Sequence, residues 1–187
     1  MGGVAFLTCR GGWPKAVGQP KELVLQQAPD YVDAVVEFDI SRVNGVRRDP
    51  ERVCMLMRSY ARMTASQGSY ETMLRDVAKL GLSFGRTSFL EYVAALKRLF
   101  VTDDLGAWNP NLRAKEDIRT SPTRHFVDPS IATAALGAGP GDLMGDLNTF
   151  GLVFESLCVS SQSECDVKIC VVFASEASYD SSRMRGG

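Results

Sequence analysis

"RRDPERVCMLMRSYARMTAS", residues 47–66, is the stretch from which the fold is predicted. Asp49 is a residue type that caps helix N-termini, and Pro50 suits the first helical position, where its missing N–H is no loss. Apolar residues then recur at helical spacing, namely Val53, Leu56, Met57, Tyr60 and Ala61. The pattern predicts an amphipathic helix over about residues 50–64.

Two further helices are predicted directly after this one. Ser69 is the expected N-cap of the second helix, which Gly81 ends, and Ser83 is the expected N-cap of the third. The short join around Gly81 has the spacing of a helix-turn-helix, and "FVTDDLGAW", residues 100–108, can form a strand, a turn and a second strand. Residues 46–110 therefore predict a winged-helix unit.

This unit carries local positive charge that suits contact with DNA phosphates. The candidate DNA-binding residues are Arg47, Arg48, Arg86, Ser88 and Lys97. The third helix also contains Gly85 and Glu91, and it is therefore only weakly basic. Winged helices dock on proteins as readily as on DNA, so the sequence leaves both kinds of partner open.

The segments that flank the unit are less regular. Residues 1 to about 30 are rich in Gly and Pro, and residues 1–45 predict a connector that contains one short amphipathic packing helix in residues 31–40. "RHFVD", residues 124–128, predicts a short strand, on which His125 is expected to be a structural residue because no partner for general-base chemistry is close in sequence.

The remaining part predicts two helices. A helix of small residues begins at Pro129, and "GAGPGDLMGD", residues 137–146, predicts a loop before a final amphipathic helix. The apolar stripe expected to face inward consists of Leu143, Leu147, Phe150, Phe154 and Leu157. Glu155 lies beside that stripe. The fold class is thus α+β and mainly helical.

Composition excludes several classes of function. The net charge of −1 and pI of about 5.9 give no general attraction to nucleic acid or membrane. The five cysteines include no CxxC and the chain has one histidine, so we expect reduced structural thiols, no metal and no cofactor. Neither a signal peptide nor a long apolar run is recognisable, and a cytoplasmic location is expected.

Five short stretches occur in an order that resembles a known family. They are "GGWP" (11–14), "DISRVNGVRRDP" (39–50), "AWNPNLR" (107–113), "RHFVDPS" (124–130) and "FGLVFES" (150–156). From about Arg10 to Cys158 the chain resembles the C-terminal region, a domain of unknown function, of prokaryotic P-loop AAA-type ATP-binding proteins. The resemblance implies a winged-helix unit, and then the opening strand and helices of a truncated nuclease-like domain over residues 111–159, in which Glu155 is the helix-borne acid.

The chain departs from that family at both ends. No phosphate-binding loop precedes "GGWP", which suggests that 1–45 follows a missing ATPase core. After Cys158 the acidic strands of a nuclease site are replaced by a divergent tail, residues 160–187, which is expected to be partly disordered with one strand candidate at 167–174. Glu155 is then vestigial, because one carboxylate cannot assemble a metal site.

The sequence therefore predicts a non-catalytic fragment that docks on DNA, on a protein partner or on a separate ATPase subunit. An autonomous winged-helix DNA-binding regulator is the alternative. A metal-dependent nuclease that uses Glu155 is the third and weakest hypothesis.

Overall fold

The computed structural model describes residues 1–106 and 121–160 in full and the backbone of residues 161–163. This part of the chain is mainly helical, as predicted. The α-helices are α1 (Gly2–Arg10), α2 (Lys21–Ala34), α3 (Ile40–Arg42), α4 (Pro50–Arg62), α5 (Tyr70–Lys79), α6 (Arg86–Arg98), α7 (Pro129–Leu136), α8 (Pro140–Gly145) and α9 (Leu147–Ser163). Short 3₁₀ turns lie at Pro14–Ala16 and Val43–Gly45, and one π-helical turn lies at Val35–Asp39.

The N-terminal region is helical and packed, unlike the connector that the sequence predicted. Helix α2 continues through the π-turn into α3, so the short helix predicted at 31–40 is only the last part of a longer helical segment. Ala5 of α1 and Ala28 of α2 are fully buried, although Pro29 lies inside α2. Both helices pack on α7, and this long-range contact supplies the apolar burial that the local Gly- and Pro-rich pattern could not indicate.

Helices α4 and α5 confirm the local predictions. The Asp49 carboxylate accepts from the Glu51 backbone N–H at 3.0 Å, and the Ser69 hydroxyl accepts from the Thr72 N–H at 3.2 Å. Each cap satisfies one of the unpaired amides of a first turn. The predicted apolar face of α4 is buried, including the large side chain of Tyr60.

Helix α6 begins two residues later than predicted. Its N-cap is Gly85, and no side chain caps it, so the assignment of that role to Ser83 was wrong. Ser83 lies two residues before Gly85, and its hydroxyl is too far back along the chain to cap a helix whose first residue is Arg86.

The segments around residues 101–105 and 123–127 run side by side. Thr102 pairs with Phe126, and Leu105 exchanges two backbone hydrogen bonds of 2.9 Å with Thr123. On the other side, Thr64 pairs with Arg124. Within the described residues these are isolated bridges rather than a sheet, and the second strand of the wing predicted at 100–108 lies mostly outside them.

Helix α7 is the central element of the packing. Its Pro129 start is confirmed, and Asp128 caps it by accepting from the Ser130 N–H at 2.8 Å. Helices α1, α2, α4 and α9 all contact it. Segments that the sequence assigned to a connector, a winged-helix unit and a later domain thus meet around α7, while those boundaries themselves stay predictions.

The end of the described chain differs from expectation in two ways. Part of the predicted glycine loop forms α8. Pro140 is the first residue of this helix, and the Asp142 carboxylate accepts a hydrogen bond from the Gly139 N–H. In α9, the residues facing the protein include Val153 and Ser156 rather than the whole predicted stripe. Leu147 and Phe154 are 60% and 42% exposed, because the inward face is set by what packs on the helix and not by the periodicity alone.

Candidate functional site

The outward face of α6 is the surface on which a winged helix would read DNA. Two of the three cations of α6 form ion pairs, whereas the exposed Arg98 donates to the side-chain oxygen of Asn44 at 2.5 Å. Arg86 at the start of α6 lies 3.0 Å from the Glu71 carboxylate, and Lys97 near its end lies 2.8 Å from that of Asp104. Between them the exposed residues are Thr87, Leu90, Glu91 and Ala94. The predicted Ser88 is only half-exposed.

Arg48 is a structural residue, which corrects its assignment as a DNA contact. It is buried, and its guanidinium donates to the carbonyls of Ile40 at 2.7 Å and Val43 at 3.0 Å. The guanidinium also lies over the Tyr92 ring, 5.8 Å from its centroid. These groups hold the turn before α4 against α6, so this cation is not free to bind phosphate, whereas its neighbour Arg47 is exposed.

A buried charged cluster that the sequence did not reveal joins α4 and α6 to the paired segments. The side chains of Asp104 and Arg124 are 5% and 4% exposed and form an ion pair of 2.5 Å. Asp104 also accepts a hydrogen bond from the Tyr60 hydroxyl. Burial raises the pKa of Tyr60, and so does the neighbouring Asp104 carboxylate, so the phenol stays protonated and remains a donor.

Arg124 has further partners beyond its carboxylate. Its Nε donates to the Gly68 carbonyl at 2.9 Å, and its guanidinium lies 4.3 Å from the centroid of the Tyr70 ring. Such a set of contacts compensates much of the cost of burying a charge. Asp104 and Arg124 are 20 positions apart, and no local pattern pairs them, so sequence reasoning had no signal for this cluster.

The "GGWP" and "HFVDPS" stretches contact each other directly. The Gly12 N–H donates to the Asp128 carboxylate at 2.7 Å, and the Trp13 indole N–H donates to the Ser130 hydroxyl at 2.9 Å. Gly11 has a φ of 68°, and a Cβ there would overlap with the Asp128 and Ser130 side chains. The two stretches thus form one structural junction at the N-terminus of α7.

His125 has the structural environment expected of it. It is buried, and its Nδ1 lies 2.9 Å from the Ser156 hydroxyl of α9. Burial lowers the pKa of His125, against the opposing negative charge of Glu155. A serine beside a histidine has the composition of a nucleophile and base, but both side chains are almost completely buried and cannot meet a substrate.

Glu155 itself is exposed on α9. Within residues 1–106 and 121–160, no group of three or more His, Cys, Asp or Glu side chains is arranged to hold a metal ion. Of the cysteines, Cys9 is buried, and burial raises the pKa of its thiol to about 11, while Cys54 and Cys158 are exposed. Cys165 and Cys170 lie outside the described residues.

Among the helices that the structure describes, none combines the length and the apolar character needed to cross a bilayer.

These features define a mainly helical domain organised around α7, with a buried charged cluster and, within its described residues, no group of three or more side chains that could hold a metal ion. Residues 2–142 match the model of a family described as a domain of unknown function, DUF8612, and the chain belongs to that family. No curated protein and no solved structure matches the chain.

The family match extends from α1 into α8 and ends before α9. It therefore includes the "GGWP" junction, the Asp104–Arg124 cluster and α6, but neither Glu155 nor Ser156. The predicted resemblance is confirmed as far as a domain of unknown function, and its link to AAA-type proteins stays a prediction.

Proposed function

We propose that this chain is a non-catalytic docking module whose winged-helix-type unit binds a protein partner. The order of elements supports this assignment. Three helices, α4 to α6, are followed by two antiparallel extended segments, around residues 101–105 and 123–127. Thr64, which follows α4, pairs with Arg124 in the second segment. A winged helix has this order of helices and strands.

The observation that carries the choice of a protein over DNA is the state of the charges on α6. Contact of Arg86 or Lys97 with a phosphate would compete with their carboxylates, Glu71 and Asp104. Between those cations the exposed side chains are small, apolar or acidic, and the carboxylate of Glu91 would repel a phosphate backbone. Arg98 at the end of α6 is exposed and donates to the neutral Asn44 side chain, but the middle of the helix has no cation and exposes apolar residues, which is typical of a protein interface.

The resemblance described above suggests a class of partner. In the AAA-type proteins that this chain resembles, the corresponding region follows an ATPase core, so we propose a separate ATPase subunit as a candidate partner. We propose no catalytic role for Glu155, because a divalent cation needs several oxygen ligands and, among the described residues, this carboxylate belongs to no group of three or more possible metal ligands.

Binding of the purified full chain to fluorescent DNA duplexes of random sequence, at low and at physiological salt, tests the choice between partners. We expect no binding at physiological salt up to about 10⁻⁴ M protein, which is the weak end of the range for non-specific DNA-binding proteins. Tight binding that falls steeply with added salt, and that is lost when Arg86→Ala and Lys97→Ala are combined, would favour the DNA-binding regulator instead. The matched control is Arg75→Ala with Lys79→Ala, which removes two exposed cations from α5.

A further inference from the structure

The outward side of α9 is apolar, although it faces away from the rest of the domain. Val153 and Ser156 are almost completely buried and mark the side of α9 that packs on the protein. The opposite side carries four exposed, uncharged residues, called the α9 stripe below: Leu147, Gly151, Phe154 and Cys158. A helix on a protein surface normally has polar residues on its outer face. The α9 stripe therefore has the composition of a contact surface.

The residues of the α9 stripe have the spacing of a helix–helix contact. They follow one another at intervals of four, three and four positions, as the residues of a coiled-coil seam do. Large and small side chains alternate, because Leu147 is followed by Gly151, and Phe154 by Cys158. A Cβ added at Gly151 would meet no other atom within 4 Å, so the surface has open space at this position. Another helix can approach α9 closely there.

Phe154 is held in place by its neighbour one turn earlier. Its ring contacts that of Phe150 edge-on, with the two centroids 6.3 Å apart. Phe150 in turn packs on the buried cluster that contains Ala5, Cys9 and Leu143. The exposed aromatic ring is thus ordered before any partner binds, which lowers the entropic cost of burying it in a contact.

We infer that a second copy of this chain covers the α9 stripe, with the two α9 helices antiparallel about a two-fold axis between Gly151 and Phe154. Gly151 of each copy then lies opposite Phe154 of the other, and Leu147 lies opposite Cys158. Each large side chain meets a small one, which is the self-complementarity that a contact between identical surfaces requires. This inference goes beyond the docking function, because α9 lies outside the winged-helix-type unit.

The charges near the stripe are compatible with this pairing. Glu155 is the only charged residue in 147–160, and the antiparallel arrangement places it opposite Asn148 of the second copy. The carboxylate then faces a side-chain amide that can donate a hydrogen bond, and not a second carboxylate. Asp146, just before α9, accepts hydrogen bonds from the N–H and the hydroxyl of Thr149 in its own chain. The contact therefore needs no cation from the second copy.

The other flank of the stripe favours the antiparallel over the parallel arrangement. Antiparallel helices place Phe150 opposite Leu157 of the second copy, and both side chains are half-exposed and apolar. Parallel helices would place each Phe154 against its own equivalent and each Gly151 against another glycine. The first pair would be crowded and the second would leave a void.

The first experiment is analytical ultracentrifugation of the full chain over a range of concentrations. Only about three turns of each helix meet, so the interface is small and the association is expected to be weak. We expect monomer at about 1 µM and mainly dimer at about 200 µM.

Gly151→Gln tests the space that Phe154 of the second copy would fill. Glutamine is a better helix former than glycine, and its Cβ has open space within its own chain, so the variant keeps its fold. It should remain monomeric at about 200 µM because its side chain occupies the place of the phenyl ring. Gly141→Gln on α8 is the matched control, since a Cβ there also meets no other atom, and it should dimerise like the original protein.

A disulfide experiment tests the direction of the two helices. The starting protein carries Cys54→Ser, Cys165→Ser and Cys170→Ser, which leaves Cys158 and the buried Cys9. Adding Leu147→Cys should allow oxidised glutathione to cross-link two copies through Cys158, because antiparallel pairing brings these thiols together. The starting protein itself should not cross-link, since its two Cys158 residues would lie about 16 Å apart along the helices. Leu23→Cys, at a similarly exposed leucine on α2, is the control and should not cross-link.

Three results would overturn the inference. One is a monomer at about 200 µM, and labelling of the Leu147→Cys thiol with a maleimide then shows whether other residues of the same chain cover the stripe or whether it stays open. Another is a dimer that Gly151→Gln leaves intact, which would place the contact elsewhere. The third is a cross-link between the two Cys158 residues without one to Leu147→Cys, which would exclude the antiparallel arrangement.

Discussion

Replacement of Asp104 by Ala gives the sharpest test of the charged cluster. Asp104 is the shared partner of Arg124, Lys97 and the Tyr60 hydroxyl. Removing its carboxylate leaves the nearly inaccessible Arg124 without its counter-ion, whereas Lys97 is 42% exposed and can turn to water.

The expected magnitude follows from this difference in burial. Loss of one member of a buried ion pair destabilises a protein by about 3–5 kcal/mol, and loss of an exposed pair by about 0.2–1 kcal/mol. We therefore expect Asp104→Ala to lower the free energy of unfolding by about 3–5 kcal/mol. Lys97→Met, which breaks only the more exposed pair, should lower it by about 1 kcal/mol or less.

The assay is urea denaturation followed by circular dichroism. With an m-value of about 2 kcal/mol/M, Asp104→Ala should shift the midpoint down by about 2 M, and Lys97→Met by no more than about 0.5 M. Asp104→Leu combined with Arg124→Met should recover part of the loss, because it removes both charges together. Equal midpoints for Asp104→Ala and Lys97→Met, or a double variant less stable than Asp104→Ala alone, would refute the reasoning.

Two further predictions concern the junction of α1 with α7 and the contact of α9. Gly11→Ala should destabilise the protein by about 2–4 kcal/mol in urea denaturation, because alanine would have to adopt a positive φ there and its Cβ would overlap with Asp128. The control is Gly141→Ala on α8, where a Cβ meets no other atom, and it should change stability by less than about 1 kcal/mol. Burial lowers the pKa of His125 below the ordinary value of about 6.5, so the unfolded chain binds the proton more tightly than the folded protein does. The stability that depends on neutral His125 is therefore fully present above about pH 6.5 and is lost as pH falls through the lower, folded-state pKa. The urea midpoint should be lower at pH 5.5 than at pH 7.5, and the difference should be smaller in His125→Asn. The carboxylates of Glu155, Asp103 and Asp104 also act on the imidazole and oppose the effect of burial. An equal loss of stability in both proteins would contradict the assignment.

Helices α4, α5 and α7 could be predicted with their first residues because the signals are local. Asp49, Ser69 and Asp128 each cap a helix by accepting a hydrogen bond from an amide two or three positions away. Such a bond depends on no other part of the chain. The buried face of α4 followed for a related reason, since a strong periodic pattern leaves only one apolar side to bury.

The candidate site was predicted less well, because partners far along the chain decide which charges are free. The sequence predicts that Arg48 and Lys97 are both exposed cations. In the structure, Arg48 is buried among backbone carbonyls and Lys97 pairs with Asp104. Glu91 was noted only as a residue that makes the helix less basic.

The sequence by itself determined where α4, α5 and α7 begin and that α4 is amphipathic, since capping and periodicity act within a few residues. Only the tertiary structure decided which surfaces are covered. The N-terminal helices became part of the core because α7 lies against them, and Phe154 became exposed because α9 turns Val153 inward instead. Gly12 meets Asp128 across 116 positions and Asp104 meets Arg124 across 20, and contacts at such separations depend on how the helices pack together, which no local pattern of residues encodes.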